Sequence, residues 1–391
     1  MNTLTTHEKY MQHAISLALL AEGKTSPNPL VGAVIVHNNK IIGKGYHHKA
    51  GSLHAEKNAI QNVKDNGYEY LLSKATMYVT LEPCCHHGKT PPCTDAIIEA
   101  KIPKVFVGSL DPNPMVCGKG IKILQNTGIE VQTGILENEC LNINEIFFNK
   151  VLNEKIFVAC KYAMTLDGRI ATDSGLSKWI TNDLSRKYVH KLRNKYDAIM
   201  VGIGTVLADN PMLNARGKGY KNPVRIICDS SLKIPIDSQI VDTANDILTI
   251  IAYSKNLSLD KNAQQKINEL KSKGCILLSI NNDDNGIDLN NLITTLQSLE
   301  LRHKNHFDNK AFFINSIFVE GGGKIHQSLF NANLVDKVYA FIAPKIFGGN
   351  QVKNPIVGNG ILDPKDAWQL RDTTVKHFGN NILIEGLIQH K

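Results

Sequence analysis

Two short stretches of the chain carry residues able to hold a metal and move a proton. His54-Ala55-Glu56 sets an imidazole and a carboxylate two residues apart, and residues 81–93, LEPCCHHGKTPPC, supply Cys84, Cys85, His86, His87 and Cys93. In the first turn of a helix, a histidine and a glutamate at this spacing can face one cavity. The imidazole serves as a ligand and the carboxylate lies beside the water that a metal activates. The 30 positions from His54 to Cys84 hold one helix and one strand, which bring the chain back to the sheet edge where His54 lies. Cys84 follows Pro83 at a strand end, and Cys93 opens the next helix, where unpaired N–H groups and the helix dipole favour thiolate. His54, Cys84 and Cys93, with a fourth position left to water, make the open tetrahedral zinc centre of a catalytic site. Glu56 is then placed to take a proton from the activated water and pass it to a ring nitrogen and a leaving amine.

The pattern H-x-E followed by P-C-x-x-C marks the zinc nucleobase deaminases. Here the Pro-Cys element stands, and the gap to the second cysteine widens to eight residues. A closed structural knot of Cys84, Cys85, Cys93 and one of His86 or His87 is the competing reading. It needs adjacent cysteines, whose side chains diverge, it has no C-x2-C pair, and it leaves His54 and Glu56 without a role. Cys85 is expected to pack as a small residue, and His86 and His87 to line the mouth of the site.

The elements around these residues alternate. Met11, Ala14, Ile15, Ala18 and Leu19 recur at helical spacing before Gly23, Pro27 and Pro29 end the helix. VGAVIV (31–36) and KIIGKGYH (40–47) read as strands joined by a hairpin turn, 54–63 as a helix, 75–83 as a strand, 91–102 as a helix and 104–110 as a strand. A short helix, a stop at Gly128 and a last strand complete a three-layer α/β/α pattern on one mixed sheet. The alternation pauses over 144–155, so the domain boundary is placed near residue 150, giving domains 1–149 and 150–391.

The second half again alternates strands and helices, ending in VDKVYAFIAPKIF and NNILIEGLI, which read as antiparallel strands added to a mainly parallel sheet. Residues 301–313 read as an exposed loop. Two strands run into glycines, at Gly202-Ile203-Gly204-Thr205 and at Gly321-Gly322-Gly323, where backbone N–H groups can approach phosphate. The third glycine and the downstream acid of a Rossmann fingerprint are absent, so that fingerprint fails, while two glycine-rich strand ends in one domain favour a cofactor site over simple turns.

A length of 391 residues exceeds what one core usually serves. Hydrophobic residues at 42% and charged residues at 20% fit a soluble globular protein. The net charge of +8 is mild and has no basic runs, which suits small anionic substrates at least as well as nucleic acid. A nucleic-acid-editing deaminase with a binding module would need aromatics interleaved with basic residues along a groove, yet aromatics are 6% and scattered. The eight cysteines show no pairing pattern, which implies reduced thiols and a cytoplasmic location. The first residues have no basic lead segment and no window of about 20 apolar residues occurs in the sequence, so neither export nor membrane spanning is expected.

Taken in order, TSPNPLVGAVIV, GYHHKAGSLHAE, LEPCCHHGKTPPC and DPNPMVCGKGIKILQNTGIEV, then KYAMTLDGRIA, SKWIT, DAIMVGIGTVLADNPMLNAR and FVEGGGKIHQSL, make the chain resemble the bifunctional riboflavin-biosynthesis pyrimidine deaminase/reductase family over nearly its whole length. The resemblance implies an N-terminal cytidine-deaminase-like domain and a C-terminal domain similar to dihydrofolate reductase. The first would remove an amino group hydrolytically from 2,5-diamino-6-(5-phosphoribosylamino)pyrimidin-4-one, with zinc on His54, Cys84 and Cys93 and Glu56 as proton shuttle. The second would reduce the ribosyl group to ribityl with NADPH. The resemblance further implies cofactor contacts at Ala163, Trp179, Thr205, Asp209, Ser231, Gly322, Gly323, Lys324, Ile325, His326, Gln327 and Ser328. Substrate contacts in the reductase half would be Ser177, Lys178, Arg193, Leu213, Arg216 and Glu320, and in the deaminase half Asn28, His47, Lys89 and Thr90. A small phosphoribosyl pyrimidine is the expected partner, with no nucleic acid and no membrane, in a homo-oligomer. Leu53, Lys57, Cys85 and Cys117 depart from the family pattern, and Lys57 is expected to turn to solvent.

Overall fold

The structure is a computed structural model that describes residues 4–86, 91–114, 116–283, 286–303, 310–350 and 353–390. It divides into two compact units, Met1–Lys155 and Ile156–Lys391.

The first unit runs α1 (Thr6–Ala18), β1 (Gly32–His37), β2 (Lys40–Tyr46), α2 (Ala55–Asp65), β3 (Thr76–Leu81), α3 (Cys93–Glu99), β4 (Lys104–Ser109), α4 (Lys119–Asn126), β5 (Glu130–Thr133), α5 (Glu137–Ile143) and α6 (Glu145–Asn153). Thr5 and Glu8 open α1 with reciprocal side-chain-to-backbone bonds, a capping box. Asn38 and Asn39, both at positive φ, close the β1–β2 hairpin. The sheet order is β2-β1-β3-β4-β5, antiparallel on either side of β1 and parallel from β3 onward.

Period-2 alternation gives the sheet two apolar faces. Ala33, Ile35, Met77, Val79, Val105 and Val107 point to the side of α2, α3 and α4, whereas Val34, Val36, Tyr78 and Phe106 meet Met11, Ala14 and Ile15 of α1. Gly45 lets α2 lie directly on β2, because a Cβ there would stand 2.3 Å from both the Ala55 carbonyl oxygen and the Ala59 nitrogen. The start of α2, with its chemistry-bearing residues, is thereby fixed against the sheet.

The second unit continues with β6 (Phe157–Thr165), α7 (Asp183–Lys195), β7 (Ala198–Gly202), α8 (Ile203–Asp209), β8 (Val224–Cys228), α9 (Gln239–Asp242), β9 (Thr249–Ser254), α10 (Lys261–Ser272), β10 (Ile276–Ile280), a two-residue pair β11 (Asn282–Asp283) and β12 (Gly286–Ile287), α11 (Leu289–Ser298), β13 (Ser316–Glu320), α12 (Gly323–Asn331), β14 (Lys337–Ala343), β15 (Gln369–Phe378) and β16 (Asn381–Gln389). The main sheet has the order β10-β9-β8-β7-β13-β6-β14-β16-β15. Its central strands are apolar on both faces, as a parallel sheet covered on both sides requires.

Three expectations change here. The strand over 337–343 pairs parallel with β6, and only its other edge, against β16, is antiparallel. The strand β15 has no counterpart in the sequence reading: its residues are mostly exposed and polar, so no apolar alternation announces it. In the 301–313 segment Leu301 and Phe312 are buried and bridged to each other, so the ends of that stretch are anchored.

Candidate functional site

In the first unit α2, the end of β3 and the start of α3 converge. His54 is the N-cap of α2, and its Nδ1 lies 3.5 Å from the Cys84 Sγ and 3.3 Å from the Cys93 Sγ. Zinc bonded at about 2.1 Å to nitrogen and about 2.3 Å to sulfur would place such atoms about 3.6 Å apart along a tetrahedral edge, so the three donors fit that ion. They form a group able to hold a metal, with all three donor atoms within 4.8 Å of one another. The first amides of α3 fasten the cluster: the Cys93 N–H donates to the Cys84 carbonyl oxygen at 3.1 Å and lies 3.4 Å from its sulfur.

Glu56 is buried in the first turn of α2, and its Oε2 is buried without a hydrogen-bond partner. A lone buried carboxylate oxygen beside three metal donors is the geometry of a group waiting for a proton-bearing ligand. Burial, and then the charge of Cys84, push the Glu56 carboxyl up to about 7. Cys84 is the sulfur that loses its proton first, drawn down to about 4 chiefly by hydrogen bonding from Cys93, with His54 adding to the effect. Cys93 is held well above the ordinary thiol range by that same sharing and by burial. Hydrogen bonding to Cys84 raises the pKa of His54. The cluster without metal therefore holds protons that metal binding displaces.

His47 and Asn28 stand beside this centre. The His47 ring meets His54 edge-on at 5.4 Å. Its Nδ1 lies 3.1 Å from the Leu53 carbonyl oxygen, which can only accept, so Nδ1 carries the hydrogen and Nε2 accepts from the Asn28 Nδ2 at 3.2 Å. This leaves the Asn28 carbonyl oxygen to face another donor. Lys57 does not hang in solvent; its ammonium donates to the Pro91 carbonyl at 2.6 Å and ties α2 to the segment leading into Cys93. Lys89 and Thr90 lie outside the described residues, as does His87.

In the second unit the C-terminal ends of β6, β7 and β13 open into a cavity of about 1410 Å³, roomier than the about 300–1,000 Å³ common for a single small ligand. It gathers Ala163, Ser177, Lys178, Trp179, Arg193, Thr205, Asp209, Leu213, Arg216, Glu320, Gly322 to His326 and Ser328. Ser231 and Gln327 do not line it: Ser231 is exposed while Ser230 faces the cavity, and Gln327 donates to the Asn331 Oδ1 at 2.7 Å. Lys178 pairs with Asp209 at 3.5 Å, and Trp179 lies under the Arg186 guanidinium. The chain turns from β13 into α12 through Gly321 and Gly322, both at positive φ.

Glu320 ends β13 with its carboxylate gripped by the Arg193 fork at 2.5 and 3.0 Å, and Lys161 of β6 lies 3.8 Å away. Burial pushes the Glu320 carboxyl up, but Arg193 and then Lys161 outweigh it and hold it below the usual glutamate range. Sequence reasoning missed Lys161; its signal was a lone cation midway along an otherwise apolar strand, level with Glu320 at the C-terminal end of β13.

His326 of α12 donates from Nδ1 to the Pro355 carbonyl at 2.9 Å, and its Nε2 is buried without a partner. Burial holds this histidine below its usual pKa range against the pull of the Pro355 carbonyl. Below about pH 6.5 the unfolded chain takes up a proton that the folded ring resists, so stability falls as pH drops. His326→Gln is expected to lose less stability than wild type between about pH 7.5 and about pH 5.5, read from urea midpoints of the second unit. Equal losses would refute the assignment.

A metal-ready His/Cys/Cys cluster with a buried glutamate, joined in one chain to a cofactor-sized cleft at the ends of a parallel sheet, defines a deaminase coupled to a second α/β enzyme. Residues 4–109 match the cytidine and deoxycytidylate deaminase zinc-binding region, and residues 156–384 match the RibD C-terminal domain. The riboflavin biosynthesis protein RibD of Actinobacillus pleuropneumoniae is 45% identical over 97% of this chain and 94% of its own length, and that of Escherichia coli K12 is 33% identical over 96% and 98%. The crystal structure of a diaminohydroxyphosphoribosylaminopyrimidine deaminase/5-amino-6-(5-phosphoribosylamino)uracil reductase from Thermotoga maritima superposes with a TM-score of 0.78 at 35% identity, covering 98% of this chain and 99% of that one. The chain belongs to the RibD family of riboflavin biosynthesis proteins. It is a bifunctional deaminase and reductase whose cofactors are zinc and NADPH. Among the described residues no helix is long and apolar enough to cross a membrane.

Proposed function

We propose that the first unit deaminates 2,5-diamino-6-(5-phosphoribosylamino)pyrimidin-4-one and that the second reduces the ribosyl group of the deaminated product to ribityl, the two activities dividing near residue 150. The observation that carries the first assignment is the His54 Nδ1 set 3.3–3.5 Å from two cysteine sulfurs with an unpartnered Glu56 oxygen buried in the same turn of α2. His54, Cys84 and Cys93 would hold zinc, which when bound supplies Lewis-acid activation of water. Glu56 would take one proton from that water and give it to the ring nitrogen, then take the second from the hydroxyl left on the carbon and give it to the departing amine, so that water and amine become carbonyl and ammonia. Asn28, oriented by His47, offers its carbonyl oxygen to an N–H of the pyrimidine.

In the second unit Thr205, Asp209, Ala163, Trp179, Gly322 to His326 and Ser328 are assigned to NADPH, the hydride source. Ser177, Lys178, Leu213, Arg193, Arg216 and Glu320 are assigned to the substrate. The Arg193 fork is already spent on Glu320 and the Asn214 carbonyl oxygen, so Arg216 has the freer guanidinium for the phosphate. The same reading extends to a cytoplasmic homo-oligomer that binds no nucleic acid, supported by eight free cysteines and a mild net charge of +8.

A coupled assay tests this reading: zinc-loaded protein, the diaminopyrimidine ribotide and NADPH, followed by mass change and NADPH oxidation. Loss of the amine followed by stoichiometric oxidation is expected. Amine loss without oxidation would sink the second assignment, and oxidation of NADPH without prior amine loss would sink the first.

A further inference from the structure

Two residues before Cys84, the carboxylate of Glu82 is buried and takes no part in the chemistry given to Glu56. Its partners are backbone amides. Oε2 accepts from Asp111 at 3.3 Å and Gly118 at 2.9 Å, and Oε1 accepts from Gly120 at 3.0 Å and Ile121 at 3.4 Å. The Glu82 N–H donates to the Ser109 carbonyl at 3.0 Å, which locks its own main chain between the ends of β3 and β4. The four donors bracket the connection from β4 to α4: Asp111 at its exit, the others at the N-terminus of α4, where Gly118 offers no side-chain cap. The start of α4 lies against the segment that carries Cys84, since the Gly120 backbone approaches the Pro83 carbonyl so closely that a Cβ there would stand 2.3 Å from its oxygen.

We propose that Glu82 is a positioning residue for deamination, fixing Asp111 and the N-terminus of α4 as a wall beside the Pro83-Cys84 segment and so setting where the substrate sits. The side-chain chemistry is specific. Four N–H donors converge on two oxygens, and only a carboxylate accepts at both; a glutamine would aim its own hydrogens at two of the donors. The metal cluster hangs on α2, the end of β3 and the start of α3, none of which the connection carries. Loosening the wall should therefore weaken substrate placement before it weakens metal binding. Gly120 gives an independent handle. A Cβ there would stand 2.3 Å from the Pro83 carbonyl oxygen and 3.2 Å from the Glu82 Oε1, which would push α4 away from the carboxylate without changing any ionisable group.

The inference rests on the assignment of deamination to the His54, Glu56, Cys84 and Cys93 site. In zinc-loaded full-length protein, Glu82→Gln and Gly120→Ala are each expected to raise the KM for deamination roughly tenfold to a hundredfold, with a smaller fall in kcat. Zinc should remain at one per chain, and NADPH-dependent reduction of the deaminated substrate should be unchanged. A KM within about twofold of wild type in Gly120→Ala, or loss of zinc in either variant, overturns the proposal. Full deaminase activity in Glu56→Gln would instead sink the underlying site assignment, whereas an inactive Glu56→Gln beside an unaffected Glu82→Gln would sink this inference alone.

Discussion

Glu56→Gln is expected to lower deamination about a thousandfold, the middle of the range that a positioned acid-base group supplies. Zinc content and the reduction step should stay at wild-type levels. The amide is nearly isosteric with the carboxyl, so the packing of a residue only 3% exposed is kept. What it lacks is the ability to take a proton from water and release it to the ring nitrogen and amine. The Oε2 atom has no protein partner to lose, so a substitution at that atom strands no protein donor there. These features separate three readings of the site. A metal-stabilised scaffold would show no deamination for the substitution to remove. A glutamate that ligated the metal would take zinc away with it. A proton shuttle loses only the chemistry, and residual activity within about tenfold of wild type would exclude that role.

The metal site was legible in the sequence because each of its parts is announced by residue type at a local signal. His54 and Glu56 sit at a helix start, Cys84 follows a strand and a proline, and Cys93 follows two prolines into a helix. The alternating apolar pattern then dictates that these ends meet at one edge of the sheet. Glu82 was not legible in the same way. Its partners are main-chain amides 29 to 39 residues downstream, and amides carry no residue-type signature. The bond from Lys57 to Pro91 escaped notice for the same reason, since a backbone carbonyl accepts whatever side chain bears it. The strand β15 was missed on other grounds. An edge strand exposed along nearly its whole length needs no apolar face, so period-2 alternation is absent. The cleft of the second unit lies between these cases: glycines marked the ends of β7 and β13, but the pairing of Arg193 with Glu320 joins a helix to a strand 127 residues away.

That pairing is the basis of the second large effect. Removing Glu320 as Glu320→Leu leaves the guanidinium of Arg193 and the ammonium of Lys161, both largely buried, facing each other without their shared anion. Breaking a buried pair in this way costs about 3–5 kcal/mol of stability. Arg193→Met should cost less, because Lys161 at 3.8 Å still faces the carboxylate. The double variant should be more stable than the sum of the two losses predicts, by roughly 1–3 kcal/mol, since Lys161 alone is then left without its anion and Arg193 is no longer stranded beside it. The sign with pH follows from Glu320 lying below its ordinary range when folded. Its contribution is present above the usual glutamate pKa and is lost only as pH falls through the depressed value, so the effect is complete in a neutral buffer. Denaturant unfolding of the second unit in all four proteins measures the coupling, and additivity within about 0.5 kcal/mol would show that the pair does not act as a unit. Reduction should be lost in the double variant despite its regained stability, while the first unit goes on deaminating. Recovery of reduction together with stability would mean that the Arg193–Glu320 pair supports the fold and does not touch the substrate.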